Sequence, residues 1–152
     1  SVAEVKQVIG DPTRYAEIVF CGYGEPLLRL DLIKEVSRWL KEQGVSVRIN
    51  TDGQANLVHG RNILPELVGL VDSISISLNS PDAEQYHHLC RSTFGAQQSY
   101  QAVKDFLQQA GQYIPEVLAT AVTYPGVDIA ACEQVAKKLG VKFRAREYNE
   151  VG

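Results

Sequence analysis

The sequence predicts an α/β fold, an incomplete parallel β/α barrel of five strands with helices outside. Three observations predict it. Five short β-branched runs alternate with amphipathic stretches along the whole chain, the pattern of βα units around a parallel sheet. In two of the runs every second residue is polar, which a sheet covered by helices on both faces does not tolerate. The carboxyl ends of all the runs carry Gly, Asn, Thr or Glu in place of ordinary connectors.

The strands read from the sequence are residues 17–21, 45–50, 73–79, 116–123 and 141–147. An opening helix bears Val2, Val5 and Ile9. After the first strand, Asp31 is placed as an N-cap, Leu32, Ile33, Val36, Trp39 and Leu40 share one face, and Gly44 stops the helix. A less regular crossover spans 63–70, with Pro65 suited to its first turn. Ser80 and Pro81 read as N-cap and first residue of a helix to about Cys90, with Asp82 and Glu84 favouring its positive end. Tyr100, Val103, Leu107 and Ala110 mark a second helix ending at Gly111, and the last runs from Asp128 to Gly140. In Val45-Ser46-Val47-Arg48-Ile49-Asn50 and in Ser73-Ile74-Ser75-Ile76-Ser77-Leu78-Asn79 the polar residues share one face. Helices outside a wet or ligand-filled interior account for that polarity; a packed interior does not.

Composition narrows the class. The chain has 152 residues, 45% hydrophobic and 22% charged, which is an ordinary globular domain. One domain of this size buries about 70% of the surface of its unfolded chain. No apolar stretch approaches the roughly 20 residues of a membrane span and no secretory segment opens the chain, so a cytoplasmic protein without membrane partners is expected. The net charge of -3 gives no global field for nucleic acid. Cys21, Cys90 and Cys132 are odd in number and far apart, as in a reducing compartment. The chain starts at Ser1 and contains no Met, the expectation for an excised fragment.

In parallel α/β folds ligands bind at the carboxyl ends of the strands. Those ends read Cys21-Gly22-Tyr23-Gly24-Glu25-Pro26, Asn50-Thr51-Asp52-Gly53, Ser77-Leu78-Asn79-Ser80, Thr123-Tyr124-Pro125-Gly126 and Glu147-Tyr148-Asn149. Gly and Asn tolerate positive φ and let backbone face a ligand. Any one of these is explained as a turn; five on one rim point to a shared pocket.

The segment Ile18-Val19-Phe20-Cys21-Gly22-Tyr23-Gly24-Glu25-Pro26-Leu27-Leu28 resembles the Gly-Gly-Glu-Pro motif of radical S-adenosylmethionine (SAM) enzymes, in the variant with one residue between the glycines. Asn50-Thr51-Asp52-Gly53 is similar to the Asn-Thr-Asn-Gly that often closes the next strand. Within the superfamily, Ser77-Leu78-Asn79, Leu89-Cys90-Arg91 and Arg146-Glu147-Tyr148-Asn149 look most like the proteins associated with TatD-type nucleases. The resemblance implies the partial barrel of the radical SAM type, with residues 1–152 one domain lacking its first strand and cluster loop. It implies that SAM binds at Gly22, Tyr23, Gly24, Glu25 and Pro26, whose carbonyls and carboxylate accept from the ammonium. Asn50 and Thr51 belong to the same cofactor site. Ser77 and Asn79 would lie by the ribose, and Tyr124, Pro125 and Gly126 by the adenine. In the family a reduced 4Fe-4S cluster cleaves SAM to a deoxyadenosyl radical that abstracts hydrogen from a substrate. Its ligands, Cys-x-x-x-Cys-x-x-Cys upstream of the glycines, are not in this chain, and Cys21 alone cannot replace them. The isolated chain is therefore expected to bind no normal cluster and to be inactive.

Several residues have plainer readings. His87, His88 and Cys90 invite a metal, yet adjacent helical residues point about 100° apart, so only His87 and Cys90 share a face, and no metal site is assigned. His59 is read as a solvated loop residue. Glu25 reads either as a cap for the following helix or as a ligand contact, with the contact preferred. Arg48 on the polar face of an interior strand, with Lys142, Arg144 and Arg146 alternating on the last strand, fits a basic lumen for an anionic substrate, and Arg91 and Glu147 are further substrate candidates; for the last strand, charges that protect an exposed edge are an equal reading. Two other functions fit: an α/β barrel enzyme whose Gly-rich loop binds phosphate, or an interaction module that dimerises through an uncovered sheet edge. The substrate is not encoded in any motif.

Overall fold

The computed structural model describes residues 1–22 and 24–148. Its centre is a parallel sheet of β1 (Glu17–Phe20), β2 (Ser46–Thr51), β3 (Ser73–Ser77), β4 (Glu116–Val122) and β5 (Lys142–Arg146), paired in sequence order. Every neighbouring pair is parallel. A parallel neighbour needs a crossover, and crossovers share one hand, so pairing in order sends every connecting helix to the same face. The strands thus form the wall of a partial barrel.

The helices are α1 (Val2–Ile9), α2 (Leu30–Glu42), α3 (Ala55–His59), α4 (Ala83–Cys90), α5 (Ala96–Ala110) and α6 (Ile129–Lys138). The core fills the space between them and one face of the sheet. From the strands it takes Val47, Ile49, Ile74, Ile76, Ala119 and Ala121; from the helices it takes Ile33, Val36 and Leu40, then Val103, Phe106 and Leu107, then Cys132 and Ala136. Alternation sends the intervening residues to the opposite face. The register sets Arg48 beside Ser73, Asn50 beside Ser75, Ser77 beside Thr120, and Thr120 beside Arg144. This face is polar, as the strand patterns require.

Two carboxylates fix the outer layer, Asp72 against the sheet and Glu66 between α2 and the crossover before β3. The Asp72 carboxylate, just before β3, accepts from Lys41 Nζ at 2.8 Å and from Val47 N at 2.7 Å. Burial alone would raise its pKa, but these donors hold it below the usual value. Glu66 accepts from Lys34 and Arg61, which hold its carboxyl down to about 2.

The elements differ from the sequence reading at their ends. Asp31 lies inside the first turn of α2, because a 3₁₀ turn, Pro26–Arg29, already leads the chain into it. Asp82, not Ser80, caps α4: its carboxylate accepts from Gln85 N, while Ser80 Oγ accepts from Asp82 N at 3.2 Å and holds the approach. The short α3 was not expected from the periodicity, being only five residues long. Pro65 does open a short turn, Leu64–Leu67. Among the described residues β1 has a neighbour on one side only, so its outer edge is open.

Gly53 sits at φ +80°, and a Cβ there would meet Ile76 Cγ2 at 2.9 Å and Val103 Cγ1 at 3.3 Å. Both strain and crowding act against any side chain. Gly53→Ala is expected to lower stability by about 1–3 kcal/mol in urea denaturation.

Candidate functional site at the strand tips

Because all strands run parallel, their carboxyl ends share one edge, and the residues of interest sit there or on the polar face below it. After Phe20, Gly22 and Gly24 hold φ +124° and +101°. A Cβ at either would meet nothing within 4 Å, so conformation rather than crowding demands glycine, and the backbone faces open space. Tyr23 lies outside the described residues.

The Glu25 carboxylate is the joint between this loop and the tip of β2. Oε1 accepts from Thr51 Oγ1 at 2.5 Å and from Leu27 N at 3.2 Å, and Oε2 accepts from Asp52 N at 2.7 Å. Glu25 is thus a cap, of the turn that Pro26 opens rather than of α2. Its pKa is raised, first by burial and then by the Asp52 carboxylate; the three donors oppose the shift. Thr51, placed by its sequence beside the cofactor, is turned by strand alternation toward the helices, where it is 4% exposed and supports Glu25 from behind. Asn50 faces the polar side.

Ser77 closes β3 on the polar face. Asn79 follows at φ +62°, one of two non-glycine residues described with positive φ. The Leu78 and Asn79 amides both donate to Thr120 O, at 2.8 and 3.2 Å, which fixes this turn against β4. Its side-chain amide nitrogen lies 4.0 Å from Cys90 Sγ. Arg91, the second positive-φ residue, ends α4 beside it. Tyr124 stacks edge-on against Tyr148 with centroids 4.8 Å apart. Together Asn79, Cys90, Arg91, Val122 and the two tyrosines line a hollow of about 520 Å³. Pro125 and Gly126 continue the β4 exit, and Gln85 Nε2 donates to Gly126 O at 2.9 Å, tying that loop to α4.

On the polar face Arg48, Asn50, Ser75, Thr120, Arg144 and Arg146 line a second hollow of about 440 Å³, with Glu147 at its rim. The exit of β5 divides the two: Arg146 and Glu147 face one, Tyr148 the other. Arg144, read with Lys142 and Arg146 either as lining for an anionic substrate or as edge protection, lies at this hollow, and Tyr148 of the last rim segment lies at the other; Thr120 was not singled out, and only the register reveals it, since it carries no motif. Another supporting network was also missed. Gln54 Nε2 donates to Tyr86 Oη at 2.8 Å and Ser92 Oγ donates to Gln54 Oε1 at 2.9 Å, locking the β2 exit to the α4–α5 turn. His59 is not a loose loop residue: it ends α3 and its Nε2 lies 2.7 Å from Leu27 O, where a protonated Nε2 donates.

A family model for the radical SAM superfamily matches residues 1–139. The chain belongs to the radical SAM superfamily. Among solved structures it is similar to one described as TYW1 with a lysine-pyruvate adduct bound, at 16% identity and a TM-score of 0.68. The alignment covers 98% of this chain and 49% of that one, so the chain spans about half the length of its structural neighbour. No curated protein matches by sequence.

The superfamily's two cofactors fare differently here. The strand-tip edge, with open backbone at Gly22 and Gly24 and polar side chains at Asn50, Ser77 and Asn79, suits SAM. The cysteines do not suit a cluster. Cys132 is buried in the core with its thiol pushed up to about 11, chiefly by burial, and among the described residues no three His, Cys, Asp or Glu gather in metal-binding geometry. No helix described is long and apolar enough to cross a membrane.

Glu25→Gln puts an amide donor against a backbone donor and is expected to cost about 1–3 kcal/mol at mildly acidic pH. Since the folded pKa is raised, the wild type's stability from this group is full below pH 4.5 and is lost as pH rises through the folded value. The gap between wild type and Glu25→Gln should therefore narrow with rising pH, as read from urea midpoints across a pH series.

Proposed function

We propose that this chain is the SAM-binding part of a radical SAM enzyme. The observation that supports it best is the in-order parallel sheet, which brings the Gly22–Gly24 loop, Asn50, Ser77 and Asn79 to one edge. In this reading backbone carbonyls around Gly22 and Gly24 accept from the ammonium of SAM, and Glu25 positions that loop while adding negative charge. Ser77 and Asn79 meet the ribose, whose hydroxyls donate and accept. Tyr124, Pro125 and Gly126 lie against the adenine. With SAM and a reduced 4Fe-4S cluster both bound, the electron from the cluster would cleave SAM and the chemistry supplied would be hydrogen-atom abstraction from a substrate; the chain's own part is to hold the nucleoside still and keep water away. Cluster ligands come from outside the described residues, and this chain by itself leaves SAM intact. The finer likeness to TatD-associated members rests on the sequence motifs Ser77-Leu78-Asn79, Leu89-Cys90-Arg91 and Arg146-Glu147-Tyr148-Asn149, of which Asn149 lies outside the described residues.

The measurement is calorimetric titration of the protein with SAM, followed by chromatography of the nucleoside. Saturable binding and recovery of uncleaved SAM are expected. Asn79→Gly keeps the left-handed turn but deletes the amide, so it should weaken SAM about three- to tenfold without lowering the melting temperature. A response to sugar phosphates but none to SAM would contradict the proposal.

A further inference from the structure

We infer that the polar face of the sheet binds a phosphate-bearing substrate through Arg48, Arg144 and Arg146. This rests on the SAM-binding reading for its role as a substrate site, but its observations are separate from the strand-tip edge.

The pairing register carries the inference. Arg48 comes from the interior strand β2 and Arg144 from β5, with β3 and β4 between them, yet both residues line one hollow of about 440 Å³. Arg146 joins them because Phe143 and Ala145 alternate with it, and Phe143 packs toward the core on the other side. Edge protection accounts for charges on β5 alone; it does not account for a guanidinium on β2 facing the same space. Three arginines stand against Glu147 at that hollow in a chain of net charge -3. With Glu17, the partner of Arg48, counted as well, this region still holds more arginines than carboxylates.

Arg48 is also under-used. Its Nη2 pairs with Glu17 Oε1 at 3.0 Å, but its Nε is buried without a hydrogen-bond partner. A guanidinium has five donors, and a buried donor left unpaired destabilises the fold unless a ligand satisfies it. Among the described residues no carboxylate pairs with Arg144 or Arg146. Planar guanidinium forks match the oxygens of phosphate, and three of them suit a dianion better than a single carboxylate. Hydroxyls at Ser75 and Thr120 and the Asn50 amide line the same hollow as neutral donors. Asn50 is the penultimate residue of β2, so the hollow extends along the polar face to the carboxyl ends of the strands.

The test is titration of the full chain with inorganic phosphate, followed by NMR at fixed ionic strength, with sodium chloride and sodium acetate as matched controls. Saturable shifts of the Arg48, Arg144 and Arg146 side-chain signals with phosphate, and much weaker ones with acetate, are expected. Arg144→Gln, at an exposed edge strand, should weaken phosphate about tenfold while leaving SAM binding and melting temperature unchanged; Arg48→Gln should do so more strongly. Equal responses to phosphate, acetate and chloride, or phosphate shifts that survive both substitutions, would overturn the inference. Stronger binding of acetate would replace phosphate by a carboxylate substrate and overturn it likewise. SAM titration of the same samples keeps the two readings apart: loss of SAM binding alone counts against the cofactor site, loss of phosphate binding alone against this one.

Discussion

Parallel pairing in sequence order is the constraint on which the rest of this chain depends. It has two consequences that no local motif supplies. Every strand leaves the sheet at the same edge, so five short turns far apart in sequence become one rim. Every crossover returns over the same face, so the opposite face stays free of helices and can be polar without loss of core. The Glu25 carboxylate then converts proximity into a fixed arrangement, because its three donors come from the loop after β1 and the tip of β2 together.

The division of labour between the two faces is sharp. Thr51 shows it: one residue past Asn50, it points toward the helices and supports the site instead of touching a ligand. Gly53 is crowded from behind by Ile76 and Val103, whereas Gly22 and Gly24 face open space. Glycine at the first position serves packing; at the other two it leaves backbone free to meet a cofactor. The same residue type therefore carries different information at different points of one rim.

Much of this was legible in the sequence. Alternation in Val45–Asn50 and Ser73–Asn79 gave the polar face directly, because period two leaves no freedom over which residues share a side. The Gly-x-Gly-Glu-Pro segment gave the superfamily, and the start of the last helix was read at Asp128, which caps α6. What escaped was whatever depends on register or on contacts across long separations. The alignment of Arg48 with Ser73 and of Thr120 with Arg144 is set by tertiary packing, as is the use of Gln54 by Tyr86 and Ser92. Helix starts were misplaced where two capping candidates stood close together: Ser80 and Asp82 are both good caps, and only the geometry assigns the role to Asp82.

The claim that the tips form one cofactor rim is tested most directly by amide NMR spectra of the protein recorded during titration with SAM. The account predicts perturbations gathered at Gly22, Gly24, Asn50, Ser77 and Asn79, with the amides of α2, α5 and α6 unmoved. Perturbations centred on the helical layer, or scattered without regard to the strand tips, would contradict it.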